Sequence, residues 1–338
     1  MIERNEDRKK LSKRLLFWFK VTITVSLCIF ILTNADWESI YFAIQNAKGW
    51  YIIFVFLGML LNIAVSALKW QILLAIHGIN YQFGKLTRYY LAAGFFSNFL
   101  PGTIGGDGYR IYKTYQNSHS KTGAILSVFT ERLVGFMVLL ALGLCGSVGN
   151  FLLQGDRFSL FGIIFGSLGL LTSAILVVFL SLKRIQIWAL QKRNMPQKIK
   201  IFIKHLVDYR RHPTKFLHFI TVSIFFYILL FSYRLLLIHA LGESCPFFSL
   251  VMVVMVSTVL AALPISLNGI GILDGSFIYL ISQYGVTYES ALMVMVLHRM
   301  LSMVTSLIGG VLYYFDREPK PLTAQLREGI QSIKEPVL

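Results

Sequence analysis

Residues 98–110 read NFLPGTIGGDGYR, inside a strongly hydrophobic neighbourhood. A lipid-facing helix has no use for this set. Pro101 removes a backbone donor, and Gly102, Gly105, Gly106 and Gly108 weaken the helix. Asp107 and Arg110 add charge. Backbone that breaks at membrane depth is tolerated only where protein buries it or where it lines a polar cavity. The stretch is therefore a candidate site, and its surroundings decide what kind.

Those surroundings are membrane-like. The chain has 338 residues, 56% hydrophobic and 14% charged, with a mean hydropathy of +0.65. Several apolar runs reach about 20 residues, enough for a hydrocarbon core of roughly 30 Å. The fold expected is an all-α polytopic membrane protein. The net charge of +16 does not point to nucleic acid, because the cations lie between the apolar runs, where orientation signals sit. Cys28, Cys145 and Cys245 are isolated and show no metal-ligand spacing.

Read in order, the chain gives a basic cytoplasmic stretch (1–14), then a first span over residues 15–33. That run is long for a signal peptide, although residues 33–35 offer a weak cleavage match. An acidic outer loop with Asp36 and Glu38 leads to a second span, about 50–76, in which Lys69 is expected to snorkel to the interface. The broken stretch follows within residues 86–115, with Lys85 and Arg88 before it and Lys113 and Lys121 after it. Both flanks read as cytoplasmic, so the segment is expected to dip in and turn at residues 101–106. Spans at about 123–152 and 158–182 come next. A basic cytoplasmic loop, 183–215, is then suited either to anionic lipid or simply to fixing orientation. A span at about 216–241 carries Arg234 and His239, expected at the outer interface. A second broken apolar segment (247–283) is flanked by stretches without Lys or Arg, and a last span covers about 288–315. The tail, 316–338, is polar. In total, about six crossings and two re-entrant broken hairpins form one domain over residues 15–315, with both termini cytoplasmic.

The second break, LPISLNGIGILDG at residues 263–275, resembles the first. Pro264, Asn268, Gly269 and Gly271 answer Pro101, Gly105 and Gly106, and Asp274 answers Asp107. About one span later come Glu131-Arg132 and His298-Arg299. The two units, about 50–152 and 216–315, have opposed flanking charge, which makes them an inverted repeat. Paired broken segments in two such halves point to a transport site near the midplane.

Arginines at the bilayer centre need partners or water. A broken helix exposes backbone N–H groups that favour anions. The glycines would let a phosphate approach, and Arg110, Arg132 and Arg299 can bind it in bidentate fashion. In the second reading, Asp107–Arg132 or Glu131–Arg132, and Asp274–Arg299, are ion pairs that pin hairpins to spans. His298 is either a packing group or a proton carrier. Asn98 lies at the edge of the first break and joins the candidate set.

The sequence contains no P-loop, zinc-type spacing, nucleophile elbow or dinucleotide fingerprint. No cofactor or metal is called for, and the chain is expected not to be an enzyme. Asp36 and Glu38 could suggest a glycosyltransferase, but the outer loops are short for a catalytic face.

NFLPGTIGGDGYR, then TERLVGF (130–136), LPISLNGIGILDG and LHRMLS (297–302) together resemble the flippase-like family named after the lysylphosphatidylglycerol synthase transmembrane region. The resemblance covers roughly residues 13–315. It implies an inner-membrane protein that moves aminoacylated phospholipids or other lipid-linked headgroups between leaflets. The family's first motif falls on Pro101, Gly105, Gly106, Asp107 and Arg110, its Glu-Arg pair on Glu131 and Arg132. Its second motif falls on Pro264, Gly269 and Gly271, and its later arginine on Arg299. Two departures stand out. Asn268 replaces a glycine and Asp274 replaces the usual glutamate, and only a short tail follows residue 315, so the aminoacyl-transferase domain of the fused synthases is expected to be missing. The expected partners are anionic phospholipid or a polyprenyl-phosphate-linked substrate, a lipid- or glycan-synthesis enzyme, and a second copy of the chain. A non-transporting scaffold for lipid or glycan synthesis is the alternative.

Overall fold

The computed structural model describes residues 22–27, 29–31, 33, 36, 38, 45, 48–99, 104–118, 120–181, 209, 211–263, 265–266 and 269–315. The basic amino terminus, most of the basic loop and the tail lie outside them, as do Pro101, Pro264 and Asn268.

The described chain is helical. Helices α1 (Gly49–Ile76), α2 (Phe83–Phe99), α3 (Ile104–Ser118), α4 (Lys121–Gln154) and α5 (Arg157–Ser181) precede the basic loop. Helices α6 (Pro213–Ala240), α7 (Phe247–Ala262), α8 (Ile272–Ser282) and α9 (Tyr288–Phe315) follow it. Among the described residues, α1, α6, α9 and the greater parts of α4 and α5 are long and apolar enough to cross a membrane. Of the expected first span, only the shorter apolar helix Thr22–Ile31 is described, and only in part.

Helices α1 and α6 form the centre. Each has 28 residues, about 42 Å at ~1.5 Å per residue. They run antiparallel: the Lys48 amide donates to the Ala240 carbonyl at 3.0 Å, and at the opposite end Lys215 Nζ donates to the Ala75 carbonyl at 3.2 Å. Both helices end alike. Gly78 and Gly242 follow them at φ +73° and +81°, and the next amide turns back to Leu74 in one and Ile238 in the other. Only glycine takes that left-handed closing turn without strain.

The outer helices pack in matching fashion. Helix α2 lies on α9 and helix α7 on α4, while α3 packs between α2 and α4 as α8 does between α7 and α9. Small residues allow the close approach. A Cβ at Gly309 would strike the Leu91 carbonyl of α2 and one at Gly310 the Phe95 ring; Gly143 and Gly146 of α4 stand likewise against Met255 and Val251 of α7.

The first break is tighter than expected. Helix α2 runs to Phe99 and α3 starts at Ile104, so Gly105 and Gly106 belong to the first turn of α3, not to the connecting bend. Helix α3 lies so close to α2 that a Cβ on Gly106 would collide with the Ala93 carbonyl and the Ser97 hydroxyl. This glycine is required by helix packing. In the second break Gly269 and Gly271 do take positive φ, +73° and +83°, and Gly271 packs against Leu27.

A further expectation is corrected. Lys69 does not snorkel: it is 4% exposed, with its ammonium 3.9 Å from Glu131 and 4.0 Å from the centre of the Phe226 ring. Arg234 is also buried, its guanidinium 5.5 Å from the Phe277 ring. Both side chains point inward because hydrocarbon offers a charge no partner and the bundle interior does.

Candidate functional site

Two ion pairs at corresponding places anchor the site. Arg132 on α4 donates to Asp107 on α3 from Nε at 3.1 Å and from Nη2 at 3.0 Å. Arg299 on α9 donates to Asp274 on α8 from Nε at 3.1 Å and from Nη2 at 2.5 Å. Each pair spans 25 residues. Both arginines lie in the fourth turn of their long helices, about 16 Å from the helix start at ~1.5 Å per residue. Both remain accessible, with side chains 60% and 39% exposed.

Each acid stands in the first turn of its short helix. A carboxylate there meets the positive end of the helix dipole and the unpaired first amides. Asp274 uses that position directly, accepting from the Gly271 amide at 3.0 Å. The amino terminus of α8, expected to be open to an external anion, thus already holds the chain's own carboxylate.

Behind Asp107–Arg132 lies a buried network. Arg110 is fully enclosed, its guanidinium 4.3 Å from the ring centres of both Trp70 and Tyr90. It donates to Glu131 through Nη2 and lies 3.5 Å from Asp107. Glu131 also accepts from the Tyr90 hydroxyl at 3.0 Å. Glu131 and Arg132, adjacent in sequence, therefore divide their duties: Glu131 faces inward to Arg110 and Lys69, Arg132 outward to Asp107. Arg110 is a buried packing and pairing group. The network holds three cations (Lys69, Arg110, Arg132) against two carboxylates (Asp107, Glu131).

The second cluster is sparser. His298 stacks on Tyr233 with ring centres 6.0 Å apart and planes 14° apart. Among the described residues, Arg234 Nε is buried with no hydrogen-bond partner, as is the Ser266 hydroxyl in the second break. Among the described residues of this cluster, Arg234 and Arg299 again outnumber the acid, Asp274. The ion pairs described join acid and base within one half of the chain. Across the halves, Asn98 on α2 donates to the Ser306 hydroxyl on α9.

Lys69, Trp70, Tyr90 and Arg234 complete these clusters but were not among the sequence candidates. A signal for Lys69 was present. Asn62, Ser66 and Lys69 fall on one stripe of α1 and all are buried, and a polar stripe on an apolar helix faces protein rather than lipid. Two clefts, of about 630 and 500 Å³, lie apart from Asp107 and Arg132. The larger is an apolar groove between Leu27, Phe30 and α8 that reaches the second break at Gly271.

A family profile described as the lysylphosphatidylglycerol synthase TM region matches residues 17–310. Comparison with curated proteins gives no match. The profile spans both broken segments, both Asp–Arg pairs and every helix from α1 to α8, and the chain belongs to this family of multi-pass membrane proteins.

Proposed function

We propose that the protein binds the anionic headgroup of a phospholipid or a polyprenyl-phosphate-linked lipid and passes it between leaflets. One observation carries this reading. Arg132 and Arg299 are accessible guanidiniums deep in their helices, each held by a single carboxylate at the start of a broken helix. An arginine at that depth is costly in hydrocarbon, and a paired one is much less so. The closed pair is neutral. A phosphate arriving at the arginine takes the bidentate place of the aspartate, so one set of donors serves in turn the resting protein and the cargo.

The antiparallel setting of α1 and α6 supports an inverted repeat. The first break then opens to the cytoplasm, beside Lys85, Arg88 and Lys113, and the second to the outside, beside loops without Lys or Arg. Under this reading the protein lies in the inner membrane with both termini cytoplasmic. It moves cargo and breaks no bond.

The test is leaflet exchange in proteoliposomes containing fluorescent anionic phospholipids or polyprenyl phosphates. Exchange above that of empty vesicles, lost in an Arg132→Gln, Arg299→Gln double variant, is expected. Exchange equal to empty vesicles for all of these lipids overturns the reading.

A further inference from the structure

The cleft of about 500 Å³ is separate from both Asp–Arg pairs. It lies where the end of α1 meets the beginning of α6. One wall is a single face of α6: Lys215, His218, Thr221 and Val222, spaced as one helical stripe. The facing wall holds Gln71, Ile72 and Ala75 of α1, and the bend after it supplies Ile79, Asn80 and Tyr81. Lys215 and His218 are both exposed. The Lys215 ammonium carries three donors and gives one to the Ala75 carbonyl.

Comparison of the two central helices shows that the fold does not demand these polar side chains. Helices α1 and α6 have equal length and the same closing turn, so their residues correspond from start to end. At the opposite end of the pair the positions of Lys215, His218 and Thr221 are taken by Tyr51, Phe54 and Leu57. The polar triplet is thus present at one end of the pair and replaced by apolar and aromatic residues at the other.

We infer that this cleft binds the phosphate headgroup of an anionic phospholipid, on the surface of one leaflet and outside the proposed transport path. The occupant is a lipid rather than a soluble anion for two reasons. The cleft sits at the termini of two spans, at headgroup depth. Its lysine, imidazole and side-chain amides are backed by Ile72, Ala75, Ile79 and Val222, so the site offers a polar head and an apolar wall together. A volume of 500 Å³ is within the usual range for a small-ligand site. The basic loop that leads into α6 raises the local concentration of anionic lipid.

The test uses the full chain in phosphatidylcholine nanodiscs doped with photoactivatable phosphatidylglycerol, with labelled peptides mapped by mass spectrometry. Label is expected on peptides covering residues 71–81 and 215–222. The exposed Lys215→Gln, His218→Gln double variant should lower it at least about fivefold, and millimolar inorganic phosphate should leave it in place. Undiminished label in the variant overturns the inference, as does equal label from photoactivatable phosphatidylcholine. Full competition by inorganic phosphate also overturns it, by showing a soluble-anion site. The readout is local, so it stands or falls independently of leaflet exchange.

Discussion

Asp274 takes both available donors of one edge of the Arg299 guanidinium and, on the same carboxylate, the Gly271 amide. One acid therefore fixes the start of α8 and the side chain of α9 at once. Asp274→Asn keeps the shape but removes the charge that holds Arg299 and suits the helix start. The expected result is a folded protein in which leaflet exchange falls at least about tenfold. Asp274→Glu, with one more methylene, should retain a larger share of activity than Asn. Equal activity of Asn and wild type would show that the pair is only structural.

Arg132 and Glu131 are neighbours in sequence and should behave oppositely. Arg132 is 60% exposed, so its loss should cost roughly 0–1 kcal/mol of stability while abolishing exchange. Arg132→Lys should rescue little, because an ammonium cannot reproduce the bidentate fork. Glu131 is buried between Arg110, Lys69 and Tyr90. Glu131→Gln leaves buried Lys69 without its counter-charge and Arg110 with Asp107 alone, a loss of about 3–5 kcal/mol. Thermal unfolding in detergent, run beside the exchange assay, separates the two cases.

Gly106 tests whether the first glycine motif serves packing or phosphate. A side chain there meets the Ala93 carbonyl on the neighbouring helix, which cannot move aside as a flexible side chain can. Gly106→Val should destabilise by about 1–3 kcal/mol or more and lower the folded yield. Gly108, with open space around it, should accept alanine with little change in yield. Equal tolerance at the two positions would remove the packing argument.

Cys245 lies in the link between α6 and α7, where burial pushes its thiol up to about 12. The thiolate is the reactive form. In a Cys28→Ala, Cys145→Ala background, alkylation at pH 8 should be slower by roughly three orders of magnitude than in the unfolded chain. The sign follows from burial disfavouring the thiolate. The penalty is absent below the pKa of the free thiol and grows as pH rises toward 12, so this residue lowers stability only in alkali. Rapid labelling of the folded protein at pH 8 would contradict it.

Much of this arrangement was legible in the sequence because hydrocarbon tolerates few exceptions. Pro and Gly inside apolar runs marked both breaks, and the acid and arginine that follow each one do pair. Partner choice was not legible. Glu131-Arg132 looked like a pair in sequence, but adjacent residues on a helix point in different directions, and Glu131 found Arg110 instead. Lys69 was misplaced for a related reason. Position near a span's end suggests snorkelling, whereas burial depends on which face meets a neighbouring helix. The glycines of the first break looked like room for a ligand; only the packing of α3 on α2 reveals what Gly106 faces.

The relative orientation of the two halves gives the last prediction. Helices α1 and α6 are antiparallel and end in the same turn. If each is followed by a hairpin that enters and leaves on one side, the bend after α1 and the bend after α8 face opposite compartments. Asn80 and Gln283 are exposed in those bends. With Cys28, Cys145 and Cys245 all replaced by alanine, Asn80→Cys should react with an impermeant maleimide only from the cytoplasmic side, and Gln283→Cys only from the outside. Helices α7 and α8, with 16 and 11 residues, measure about 24 and 16 Å at ~1.5 Å per residue. Both are shorter than a hydrocarbon core of roughly 30 Å, which favours return over crossing. Labelling of both cysteines from the same side would break the inverted arrangement and, with it, the two-gate reading of Asp107–Arg132 and Asp274–Arg299.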